Sequence, residues 1–365
     1  MVVDITKQII SFFQLSLVFI SNIGMINHVI IIPMLLDHSG RDSWISIIFS
    51  SALFLIWISL LFYIHKNTEC KHIFTFFKNQ FGKIVIYPLY GLLVIYLTSL
   101  NVVILKETLT FFSFYLPETP HIVIGILFSI ICFYNAQGGI RSIVLTAGIL
   151  IPTVILLGCF VMIANISHKD YSLLKPILEH GINPVFKGMI YPGVGFIELI
   201  LFLFVQQYIG SQVKFYQLVI VGIIVIGITI GPAMASIVEF GPFEAANQRY
   251  PAFEEWRLVS IGKYIEHLDF LSVYQWLVGG FIHISFNLFL IPDMLRIKKN
   301  KVRNKIIFLV LICIVVICTL PISDPDFYWF LSCVFAPMSV ITIFIFSILL
   351  FILVHFVKIR NRAMG

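Results

Sequence analysis

Long apolar runs separated by short polar loops dominate the chain. They fall near residues 9–36, 44–64, 84–114, 121–136, 143–166, 188–209, 215–238, 268–292, 306–321 and 329–357. A helix rises about 1.5 Å per residue, so about twenty apolar residues cross the roughly 30 Å of hydrocarbon in a bilayer. The pattern predicts an all-α polytopic membrane protein with ten transmembrane helices, the fourth being short. The first run is too long for the apolar part of a leader and lacks a small-residue cleavage site, so it is expected to remain as the first span.

Composition supports this reading. Of the 365 residues 59% are hydrophobic and only 12% charged, with a mean hydropathy of +1.01, more apolar side chain than a soluble fold can hide. The six cysteines are scattered, mostly inside apolar runs, with no C-x-x-C and no Cys/His cluster. They read as small packing residues, with no metal, cofactor or disulfide implied. The net charge of +6 belongs to basic residues at membrane edges, where anionic lipid is the ordinary partner, and no nucleic-acid module is visible.

Charge also orients the chain. Lys7, Lys66, Lys71, Lys78, Lys83, Arg141, Lys214, Arg296, Lys298, Lys299, Lys301, Arg303, Lys305, Lys358, Arg360 and Arg362 lie in loops on one side, sixteen of the 24 basic residues. That side is read as cytoplasmic. Carboxylates such as Glu239, Glu244, Glu254, Glu255, Glu266 and Asp269 gather on the other. Both termini are then cytoplasmic, and ten spans divide into a 5+5 inverted repeat, residues 9–166 and 188–357, within one integral membrane domain covering 1–365.

Two apolar runs are interrupted at corresponding places in the halves, at Ser21-Asn22-Ile23-Gly24 and at Tyr191-Pro192-Gly193-Val194-Gly195. Hydrocarbon tolerates unpaired backbone only where protein or a water-filled cavity covers it, so paired breaks in helices 1 and 6 point to a binding site. Pro192 removes a donor while Gly193 and Gly195 free the backbone. The helix restarting near Phe196 would offer the positive end of its dipole to an anionic group.

Glu198, set in Phe-Ile-Glu-Leu-Ile-Leu, is an ionisable group inside the membrane and a candidate for meeting a ligand ammonium or a proton. His28 and His283 are secondary candidates. Glu107, near the outer end of span three, faces the vestibule in this reading. Span eight carries Tyr274, Gln275, Trp276, His283, Ser285 and Asn287, but Ser285 has no Ser/Thr companion for sodium. Two outer segments are long enough for structure: 171–184, with Leu173, Leu174, Ile177 and Leu178 spaced as in an interfacial helix, and 245–265, with Pro251 at a helix start. No loop carries a Ser/His/Asp set, a phosphate-cradling glycine loop or metal-ligand spacing, so no enzymatic activity is expected.

Several pieces in order resemble the integral-membrane B subunits of bacterial spore nutrient-germinant receptors, the endospore germination permease family of the amino acid/polyamine/organocation superfamily. They are Pro117-Glu-Thr-Pro with Glu107 upstream, Leu174-Lys-Pro-Ile-Leu-Glu-His-Gly, Gly195-Phe-Ile-Glu-Leu, and Arg249-Tyr-Pro-Ala-Phe-Glu with Gly262-Lys-Tyr-Ile-Glu-His-Leu-Asp-Phe leading to Trp276. The resemblance implies the ten-helix fold with a ligand between broken helices one and six, flanked by three and eight. On this chain that set is Ser21, Asn22, Ile23, Gly24, Met25, Asn101, Gly193, Gly195, Phe196, Glu198, Tyr274 and Trp276, with Glu198, Glu107, His28 and His283 as proton or gate groups. Members commonly carry Gly-x-Gly in span one, where this chain reads Asn22-Ile-Gly-Met-Ile-Asn-His. The implied role is a sensor of a small nutrient, an amino acid, that triggers germination beside a receptor A subunit and a lipoprotein C subunit in the spore inner membrane. The alternative is a proton-coupled amino acid transporter in the bacterial cell membrane.

Overall fold

The computed structural model describes residues 9–262 and 267–364. Lys7, Ile265 and Glu266, with the Lys263–Glu266 part of the family motif, lie outside the described residues, as does the side chain of Arg362. Among the described residues there is no strand. Helices cover every apolar run: α1 (Phe12–Gly24), α2 (Ile32–Ser39), α3 (Ser43–Asn67), α4 (Ile73–Phe81), α5 (Lys83–Ser113), α6 (His121–Gln137), α7 (Ile140–Ala164), α8 (Asn183–Gly188), α9 (Ile190–Phe196), α10 (Phe202–Val205), α11 (Phe215–Phe240), α12 (Pro242–Asn247), α13 (Pro251–Arg257), α14 (Phe270–Asp293), α15 (Asn300–Cys318), α16 (Asp324–Phe330) and α17 (Ala336–Met364). Among the described residues eight helical stretches are long and apolar enough to cross a membrane; α6 is a shorter apolar helix, and α15 carries Lys301, Arg303 and Lys305 in its first turns.

Local chemistry sets the ends. Ser11 and Gln14 form a reciprocal capping box at the start of α1, Gln14 N–H donating to Ser11 Oγ at 3.1 Å and Ser11 N–H to Gln14 Oε1 at 3.0 Å. Gly139 turns the chain from α6 into α7 at a φ of +82°, a region that favours glycine.

Burial ranks the helices. The most apolar stretch of 183–208 is 83% buried and that of α14 78%, whereas only 17% of the stretch around α7 is buried. The centre is therefore built from the first span, 183–208 and α14, with α5 beside them. Ile95, Ile149 and Leu156 point outward, more than two-thirds exposed. Such surface is unstable in water and at ease in lipid.

Packing partners alternate between the halves. α1 lies against α7 and α11, while α9 lies against α17 and α3; α5 and α14 pack on each other, as do α3 and α11. The two ends of the bundle are closed. At the end bearing the basic loops, Ile10 N–H donates to Tyr208 O at 2.9 Å and Gly210 N–H to Ile10 O at 3.2 Å, a parallel bridge from the start of the first span to the end of the sixth. Beside it His65 meets Gln206 at 2.7 Å, and Tyr208 donates to Asp293 at 2.6 Å.

The outer segments differ from expectation in one respect. Residues 171–182 form no short interfacial helix; Tyr171–Leu174 makes a 3-10 turn, and Asn183 and Pro184 already belong to α8. Leu173 and Leu174 pack on Ile32, Leu36, Ile237 and Ala245, so their apolar spacing serves protein contact rather than lipid. Pro251 does begin a helix, α13.

Candidate functional site

Neither predicted break is unwound. Ser21–Gly24 is α-helical, and the departure comes directly after it as a π-helix over Met25–Ile30, followed by a bend at Ile31. Pro33 accounts for the shift: lacking an N–H, it cannot continue an α-helix from residue 29 without a clash. The wider turn absorbs this, Ile31 N–H donating to Ile26 O at 3.0 Å. Tyr191–Gly195 likewise lies within α9, and the chain tightens to a 3-10 helix over Ile197–Leu201, which contains Glu198. α10 is only four residues long, so no free helix N-terminus is presented to an anion.

A residue absent from the sequence-based set joins the two irregular spans. Asn27, fully buried in the π turn, donates from Nδ2 to Pro192 O at 2.9 Å and to Thr229 Oγ1 at 3.2 Å, while its Oδ1 accepts from Gly195 N–H at 3.1 Å. Gly195 has no alternative here, because a Cβ would overlap the Asn27 amide. Asn27 thus binds the sixth span through its backbone and the seventh through a hydroxyl.

Above this clasp is an apolar cavity of about 10 Å³, lined by Ile26, Ile30 and Met34 of the first span, Val103 of α5, Val194 of α9, and Leu331 and Phe335. It is large enough for one water. Leu331–Phe335 is a second π-helical turn, so two such turns face each other across it. None of the residues in the sequence-based ligand set lines this space, although Val194 belongs to the second predicted break and is flanked by Gly193 and Gly195.

On the other side of the clasp lies a polar layer. Glu198 Oε2 and His283 Nε2, both fully buried, approach to 3.1 Å. They lack the alignment of a hydrogen bond. Asn287 Nδ2 donates to Asn101 Oδ1 at 3.0 Å. Phe19 meets Phe286 edge-on and Met25 lies against Gly279, which brings Asn22 to the level of His283 between two antiparallel helices. Ser21 Oγ, both polar atoms of Asn22 and the Tyr96 hydroxyl are buried there without a hydrogen-bond partner.

The remaining candidates are dispersed. Phe196 stacks on Phe54 at 4.4 Å, Gly193 faces Val340, and His28 bonds to Ile228 O at 3.1 Å. Tyr274 donates to Leu150 O at 3.2 Å, away from the centre. Trp276 stacks on Phe111 at 4.1 Å and donates to Thr108. Ile23 packs in the core, and Met25 and Gly24 sit against α14 and α11 respectively.

Glu107 belongs to a charged cluster at the end opposite the basic loops. Arg249 Nη2 donates to Glu107 Oε1 at 2.6 Å, and Arg249 Nε to Asp324 Oδ2 at 3.1 Å. Tyr250 donates to Glu107 Oε2 at 2.8 Å, and the guanidinium lies over the Tyr250 ring at 4.6 Å. Arg249 and Tyr250 carry the family motif noted above, yet nothing in their spacing indicates a partner 142 residues earlier.

Known proteins accord with this architecture. A family model described as spore germination protein matches residues 8–327. Spore germination protein XB of Bacillus anthracis is 65% identical over 354 residues, 97% of this chain and 100% of that protein. Spore germination protein A2 of Bacillus subtilis (strain 168) is 25% identical over 242 residues, 60% of this chain and 65% of that protein. With helices apolar enough to span a bilayer and a match along most of its length, this chain belongs to the spore germination protein family, integral membrane proteins of receptor- and permease-like rather than enzymatic kind.

Proposed function

We propose that this chain is the nutrient-sensing membrane subunit of a spore germinant receptor, binding a small nutrient, an amino acid, between its first and sixth spans. The observation that carries the reading is the Asn27 clasp, which ties the π turn of the first span to the sixth span just before its 3-10 turn, beside an apolar cavity. A cavity of about 10 Å³ holds no amino acid, so ligand binding selects a more open packing over this one by differential affinity. Receptor A and lipoprotein C subunits read that change. Ten crossings, cytoplasmic termini and a 5+5 inverted repeat complete the proposal; the repeat is supported by the exchange of packing partners, α1 on α7 and α11 against α9 on α17 and α3.

The test uses spores carrying the full receptor. Asn27→Ala and Gly195→Ala are expected to shift the nutrient dose for half-maximal germination at least tenfold with normal protein levels. Because removing the Asn27 amide also removes what a Cβ at Gly195 would strike, the double variant is expected to resemble Asn27→Ala alone. An unchanged dose response in both would end the reading.

The Glu198–His283 contact favours a second reading, proton-coupled amino acid transport. Ligand accumulation in proton-loaded vesicles, lost in Glu198→Gln, would select it over sensing alone.

A further inference from the structure

We infer that Glu107, Arg249 and Asp324 form an outer lock selective for zwitterions, the ligand exchanging places with the lock's own ion pairs on its way to the cavity. The inference rests on the nutrient-binding reading and adds the residues that select the ligand's charge.

Position comes first. Glu107 is one helical turn beyond Val103 on α5, and Tyr328 is three residues before Leu331. Val103 and Leu331 line the cavity. Arg249 reaches both of the helices that carry them, through Glu107 on one side and Asp324 at the start of α16 on the other, with its guanidinium 5.6 Å from the Tyr328 ring. The cluster therefore roofs the cavity at the end opposite the basic loops.

Charge then limits what can pass. Glu107 is fully buried and both its oxygens are occupied, by Arg249 and Tyr250. Separating it from Arg249 leaves two charges in a low-dielectric site, a costly state. A simple carboxylate satisfies Arg249 and strands Glu107; a simple amine does the reverse. A molecule carrying both groups replaces both partners at once. Arg249 Nη1 is buried with no hydrogen-bond partner, so an incoming carboxylate has a free donor before either existing ion pair breaks. Its ammonium then meets two carboxylates facing a single guanidinium.

The experiment follows a single cysteine, Val103→Cys, in full-length protein whose six native cysteines are replaced by alanine. The protein is reconstituted in phosphatidylglycerol-containing vesicles and modified from outside with a membrane-impermeant methanethiosulfonate. Arg249→Gln and Glu107→Gln are expected to speed modification at least tenfold, and the exchanged pair Glu107→Arg with Arg249→Glu to slow it again. A pool of the nineteen common amino acids other than cysteine is expected to change the rate at least threefold, the pool of their fully amidated counterparts not at all, and Arg249→Gln to erase that difference. Unchanged rates in the variants, or equal effects of the two pools, overturn the lock. The same pools given to spores carrying the receptor separate the two ideas: germination without any pool difference in modification of the introduced cysteine overturns the lock alone, and no germination overturns the amino acid reading and the lock together.

Discussion

Asn27 makes one side chain serve three spans, and this is the contact least visible in the sequence. A lone asparagine in an apolar run has no period to show what it meets, and its partners lie 165 to 202 residues away. Glu198 stands out in the sequence as an ionisable group in an apolar run, with His283 as a secondary candidate. Their mutual contact still required the fold. Small and aromatic candidates fared differently: Gly193, Phe196 and Tyr274 turn to Val340, Phe54 and Leu150, since composition locates a residue along a helix without fixing its azimuth. For the buried pair, Glu198→Gln takes from His283 the carboxylate it faces and is expected to destabilise the protein by about 1–3 kcal/mol. Thermal unfolding in detergent checks this, and His283→Gln added to Glu198→Gln should recover part of the loss.

Helices as units were legible in their extent and less so in their irregularities. Apolar runs marked the long helices but not the short α4 and α12, and the breaks read from Ser, Asn and Gly end just before the actual π and 3-10 segments. Hydrogen-bond phase, set here by Pro33, decides where a helix changes type. At the junction of α2 and α8, Ser39 Oγ donates to Pro184 O at 3.0 Å and accepts from Ser46 at 3.0 Å, and a Cβ on Gly188 would overlap that hydroxyl. Gly188→Ala is expected to cost about 1–3 kcal/mol, with Ser39→Gly restoring most of it in the same thermal assay. α4 is held by His72, whose Nδ1 accepts from Thr75 N–H at 3.3 Å while Nε2 meets Asp293 O at 3.2 Å. Burial, with Arg296 adding to it, lowers His72 to about 4, so the folded state prefers neutral imidazole. The resulting stability is complete above pH 6.5 and is lost as pH falls toward 4. Hydrogen exchange in α4 should rise across that window, and His72→Gln should flatten the dependence.

For the whole molecule, composition alone settled the class, because so apolar a chain has no soluble solution. Topology rests on basic loops gathered at one end, and reporters fused at residue 365 and inserted in the 294–299 loop are expected to be cytoplasmic, while one at residue 180 is not. A protease-protection assay distinguishes these. Closure of the bundle was not legible, since it depends on contacts between remote segments such as Arg249 with Glu107 and Asp324. Among those contacts the bridge between Ile10 and Ile209 has a mechanical meaning. It ties the first and sixth spans together at one end, so any parting of the two, like that of the arms of a pair of tweezers, would be widest at the far tips and least beside the pin.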